Sequence, residues 1–106
     1  MPDDPRAEYD AIVAELLATS PAKSGAMFGM PCLKINGKAF AGFYQGAMVF
    51  KLAGPAHGVA LAITGAHLFD PMGGRPMKEW VEVPSAQAKR WPEFTRDAMR
   101  YVSGGK

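Results

Sequence analysis

The first apolar pattern in the chain is helical: Tyr9, Ile12, Val13, Leu16 and Leu17 recur three or four residues apart and form one stripe. Asp3 or Asp4 can cap this helix, and Pro5 suits its first turn. Ser20-Pro21 ends it, because the residue before a proline avoids the α region. Residues 22–30 lead onward with room for some extended pairing. Residues 31–52 then split at Asn36-Gly37 and Gln45-Gly46 into three short apolar-rich runs. Asn-Gly readily supplies the two positive φ angles of a type I′ turn, so an antiparallel meander is predicted here. Gly54-Pro55 breaks the third strand. A short helix is predicted over residues 56–65 around Val59, Ala60, Leu61 and Ile63, and a fourth strand over 66–70 with Leu68 and Phe69. Trp80-Val-Glu-Val83 alternates and stops at Pro84, which reads as a fifth strand. Ser85 is a good N-cap for a last helix carrying Trp91, Phe94, Ala98, Tyr101 and Val102, with a kink or restart near Trp91 imposed by Pro92. The expected fold is α+β and two-layered. An antiparallel sheet of about five strands carries its helices mainly on one face, in the order α-β-β-β-α-β-β-α.

Two-residue turns at both corners let the alternation be followed across the meander. One face receives Met30, Cys32, Lys34, Ala39, Ala41, Phe43, Met48, Phe50 and Leu52, and its two alanines leave space for a helix. The other receives Leu33, Ile35, Lys38, Phe40, Gly42, Tyr44, Val49 and Lys51. A sheet covered on one side only should be polar on the other, and this one is not. Leu33, Ile35, Phe40, Tyr44 and Val49 therefore form a candidate protein interface, with a homodimer as the first partner to consider. Coverage of that face by the chain itself and ligand binding are the alternatives.

The chain has 106 residues, which bounds it to a single domain over 1–106. Its 48% hydrophobic and 21% charged content is that of a globular protein with one modest core. The single cysteine, Cys32, excludes an intramolecular disulfide. The acidic start Met-Pro-Asp-Asp-Pro lacks the order of a signal peptide, and no apolar run approaches the ~20 residues of a membrane span. A cytoplasmic protein without membrane contact is expected. The net charge of +2 is too small to argue for nucleic acid. Asp3, Asp4, Glu8, Asp10 and Glu15 crowd the start, and Lys89, Arg90, Arg96, Arg100 and Lys106 the end, which reads as two solvated helix faces of opposite sign.

No catalytic constellation is visible, and no metal or cofactor is expected. Cys32 sits mid-strand as a small hydrophobe, away from the electropositive, exposed setting that activates a thiol. His57, His67 and Asp70 match no short metal-ligand motif. The serines lie at turns and helix ends, and none sits in a nucleophile elbow. The loop with Gly73, Gly74 and Arg75, followed by Lys78, is the one candidate anion site. Consecutive glycines can present N–H groups to an anion, with two cations beside them. An anion- or nucleotide-binding enzyme or enzyme subunit is the alternative function that this loop supports.

Met27-Phe28-Gly29, Asn36-Gly37-Lys38-Ala39-Phe40-Ala41 and Met48-Val49-Phe50-Lys51-Leu52 together resemble the N-terminal domain of the TfoX/Sxy family of bacterial competence regulators. Trp80-Val81-Glu82-Val83-Pro84 and the closing helix through Ala98 and Tyr101 look like that domain's last strand and helix. The resemblance covers roughly residues 8–102, and its motifs are structural. It implies a two-layer α+β domain, standing alone here without the C-terminal helical domain of the fuller regulators. Those regulators promote transcription of competence genes with a partner activator. The resemblance offers no catalytic residue to carry over, and so implies a small protein-binding, regulatory module.

Overall fold

In the computed structural model, which describes residues 4–27, 29–70, 74 and 77–104, the chain opens with α1 (Pro5–Thr19). The Asp4 carboxylate caps it by accepting the Arg6 N–H at 3.1 Å, and Pro5 takes the first helical position. Ser20 closes it: its hydroxyl donates to the Leu16 carbonyl at 2.8 Å and accepts the Ala22 N–H at 3.2 Å. Tyr9, Ile12 and Leu16 turn inward, while Leu17, at the margin of the stripe, stays 44% exposed.

Four strands follow in an unbroken meander: β1 (Lys23–Met27), β2 (Met30–Ile35), β3 (Lys38–Tyr44) and β4 (Ala47–Lys51). Its two glycine turns form as the sequence predicts. Asn36 and Gly37 have φ of 54° and 79°, and Gln45 and Gly46 have 48° and 84°. Two successive positive φ values give the type I′ twist that matches the flanking strands. After α2 (Gly54–Leu61), strands β5 (His67–Phe69) and β6 (Met77–Val83) join the far side of β4. The sheet order is β1-β2-β3-β4-β6-β5, with every neighbouring pair antiparallel. A 3₁₀ segment, Ser85–Arg90, then leads to α3 (Trp91–Val102). Pro92 lies in the first turn of α3, where its missing N–H costs nothing, so the predicted restart falls at Trp91. Ser85 does not act as a cap: Pro84 opens the 3₁₀ segment and no side chain caps it. The fold is α+β in two layers, with six strands rather than five, and β1 is the strand that the apolar pattern left indistinct.

A bulge corrects the expected faces. Leu33 faces Ala41 and Lys34 faces Ala39, so Phe40 is an extra residue on β3. An inserted residue shifts the alternation by one, and the two sides of β2 change places relative to β4. Leu33, Ile35 and Phe40 therefore join Ala41, Met48, Phe50, Val81 and Val83 in the core beneath the helices. They are buried there and are not part of an exposed face. Trp91 and Phe94 of α3 pack on the same core, with Phe50 and Phe94 ring centroids 5.8 Å apart. The Trp91 indole N–H donates to the Val83 carbonyl at 3.2 Å, which satisfies its one polar atom.

Val49 and Tyr44 do lie on the outer side, where they meet a second cluster with Met30, Phe69 and Trp80. Gly42 makes this cluster possible. A Cβ there would lie 2.7 Å from Met30 Cε and 3.2 Å from the Pro31 carbonyl oxygen, so the glycine leaves the space that the Met30 side chain fills. Tyr44 of β3 and Phe69 of β5 meet edge to face at 5.0 Å although β4 and β6 lie between their strands. The sheet thus curls around its outer cluster, consistent with the bulges in β3 and between Leu68 and Phe69. Both faces are apolar, as the alternation predicts, and both are filled by the protein's own side chains.

Candidate functional site

Of the five candidate interface residues, Leu33, Ile35, Phe40 and Val49 are buried, and Tyr44 alone remains partly exposed. The structure does not bring them together: the first three face the helices and the last two the outer cluster. The rim of that cluster is polar. Glu82 faces His67 across β5 and β6, with a carboxylate oxygen 3.7 Å from His67 Nε2. Burial raises the Glu82 carboxyl above the usual range, and His67 offsets part of the rise.

Of the four candidate anion-site residues, Gly73 and Arg75 lie outside the described residues. The Gly74 N–H is directed at the chain's own carboxylate, donating to Asp70 Oδ2 at 2.8 Å. Lys78 is exposed on β6, and its carbonyl lies 2.7 Å from His57 Nε2. The described part of this loop therefore already has an anion on its backbone donor, supplied by Asp70.

Cys32 is fully buried and its thiol is pushed up by that burial, with Lys34 acting in the opposite direction. The buried Tyr9 hydroxyl has no hydrogen-bond partner among the described residues, and burial raises it well above its ordinary value. Tyr9 packs its ring on Phe43 at 5.4 Å, and the Arg6 guanidinium lies 5.8 Å from the Tyr9 ring and 5.7 Å from that of Phe43. Among the described residues no three His, Cys, Asp or Glu side chains gather where a metal could be held, and no helix is long and apolar enough to cross a membrane.

On the helix side, an open cleft of about 730 Å³ runs between Glu8 and the Ser85–Arg90 segment. Its guanidinium, Arg90, is held in two hydrogen bonds by Glu93 at 2.9 and 3.1 Å. Glu93 is lowered by that contact and Arg90 raised. Among the described residues, three large apolar side chains are exposed elsewhere: Leu17 at 44%, Val59 at 48% and Tyr101 at 39%. Tyr101 donates its hydroxyl to Glu79 at 2.6 Å, and Lys51 lies 3.7 Å from the same carboxylate.

The surface that sequence reasoning missed is the β1 edge. Among the described residues β1 pairs with β2 on one side only, and Lys23, Ser24, Gly25 and Ala26 are exposed. A hairpin closed by two residues starts on a hydrogen-bonded pair, here Met27 with Met30. The next pair, Ala26 with Pro31, carries no ladder bond, in keeping with a proline that has no N–H. Alternation then turns the N–H and C=O of Ser24 and Ala26 outward, away from β2. Lys-Ser-Gly-Ala-Met has neither the alternation nor the β-branched residues that announce a strand, so only the Pro31 position hints at it.

No family model, curated protein or solved structure matches the chain.

Proposed function

We propose that this protein is a small, non-enzymatic regulatory module that works in the cytoplasm by protein–protein contact, related to the N-terminal domain of the TfoX/Sxy regulators. The observation that carries the contact reading is the β1 edge, whose exposed strand has no second strand beside it among the described residues and so offers its outward backbone donors and acceptors. Such an edge is a template for another strand, and recognition by strand addition draws its affinity from main-chain bonds. The six-stranded two-layer architecture is in keeping with the domain that the resemblance implies, and by that resemblance the contact serves transcriptional control. In-cell photocrosslinking tests the contact: a photoreactive residue is placed at Ser24 or, as control, at Thr64 beyond α2. An adduct of any protein from position 24 and none from position 64 is the expected result. Equal labelling from both positions, or none from either, overturns the reading.

A further inference from the structure

We infer that the partner of the β1 edge is a second copy of this chain, joined strand to strand about a two-fold axis at Gly25. This rests on the reading of the chain as a protein-contact module, and names its partner and register.

The strand pairs with itself most fully in one register. Ser24 and Ala26 turn their backbone groups outward, and Gly25 lies between them. With Gly25 facing its symmetry mate, each Ser24 pairs with the Ala26 of the other copy. Each of those two pairs exchanges two N–H···O=C bonds, so four bonds form and no outward donor of Ser24 or Ala26 is left unpaired. Gly25 then occupies the central non-bonded pair, where Cα atoms approach to about 4.5 Å and side chains would be crowded most. Lys23 faces Met27 of the mate, so two lysines are not set directly opposite. The meanders become one continuous sheet, in which the β1 edge of each copy is covered and β5 stays the outer edge.

Two further features border this edge. Glu15 of α1 lies beside Pro92, Thr95 and Arg96 of α3. Leu17 lies on the flank of α1 opposite Glu15 and is 44% exposed, on a helix that packs beside β1. It supplies apolar area next to the strand pairing. A five-residue strand with one such flank falls short of the roughly 800 Å² per partner of a standard interface, so the dimer depends on protein concentration. The Lys34 side chain lies over Gly25, where an added Cβ would meet Lys34 Cε at 3.3 Å. About the axis, the two Lys34 ammonium groups approach one another, so added salt strengthens the association.

Sedimentation velocity over a dilution series, at low and high salt, tests the inference on the whole chain. The wild type is expected to dimerise with rising concentration, more readily in salt. Lys34→Gln should tighten the dimer severalfold and remove most of the salt effect. Ala26→Pro deletes an outward N–H without touching the β2 ladder, and should be a folded monomer throughout. Should Ala26→Pro fail to fold, amide exchange of the wild type decides instead: Ser24 and Ala26 amides are protected in concentrated solution and exchange freely when dilute. A dimer that persists in Ala26→Pro overturns the β1 register and leaves the contact function standing. A wild type that is monomeric at every concentration, or edge amides whose exchange ignores concentration, overturns the inference outright.

Discussion

Phe40→Ala puts the bulge to a quantitative test. Phe40 is fully buried among the helix-side core residues because the bulge turns it inward beside Ala41. Truncating a buried phenylalanine removes its transfer free energy and leaves a cavity, together about 3–5 kcal/mol. A chain of 106 residues has a total stability of roughly 5–15 kcal/mol, so this single change removes a large share of it. With a urea slope of about 2 kcal/mol per molar, the unfolding midpoint falls by roughly 2 M with the slope unchanged. Tyr44→Ala is the comparison. Tyr44 is partly exposed on the outer cluster and loses an edge-to-face contact with Phe69, for which about 1–2 kcal/mol is expected with its packing. Urea denaturation followed by tryptophan fluorescence and far-ultraviolet dichroism reads both. A Phe40→Ala variant as stable as Tyr44→Ala, with altered self-association as its main effect, would refute the bulged register.

Two further outcomes follow from the outer face. Because burial raises the Glu82 carboxyl, the folded state holds this proton more tightly than the unfolded chain, and Glu82 destabilises the protein as pH rises above the ordinary carboxylate range. Glu82→Gln should raise the melting temperature at neutral pH and leave it unchanged at acid pH, where both states are protonated; an equal effect at both would contradict the assignment. Gly42→Val forces a side chain into the space that Met30 occupies and against the Pro31 carbonyl, at 3.2 Å from the first added carbon. A loss of about 1–3 kcal/mol in urea unfolding is expected, and a neutral result would place Met30 elsewhere.

The turns, the restart at Trp91 and the two apolar faces were legible in the sequence because each depends on local chemistry. Asn36-Gly37 and Gln45-Gly46 fix their hairpins by backbone conformation, and Pro92 fixes where a helix can begin. The bulge was not legible. Nothing in Ala39-Phe40-Ala41 distinguishes a strand that alternates from one with two successive residues turned inward. The choice is made by the packing of Phe40 beneath the helices. Counting by two across that point exchanged Leu33 and Ile35 with Cys32 and Lys34, which assembled a contact surface from residues that belong to two different layers. β1 was legible only as a stretch with room for extended pairing, for a related reason: its pairing is decided by β2, not by its own apolar content. The candidate anion loop was legible as a cluster of glycines and cations, but the sequence could not show that Asp70 supplies a carboxylate to Gly74.

A sheet packed with apolar side chains on both sides has no neutral row of positions. In a one-sided sheet, every second strand residue drifts freely under mutation. Here Cys32, Val49 and Phe69 are as confined as Met48, Phe50 and Val81. Tolerance for substitution is displaced onto the helices, above all onto Ala7, Ala11, Ala14 and Ala18, which line the solvent side of α1. New specificities are accordingly easier to acquire along that helix and on the exposed β1 than on the central strands.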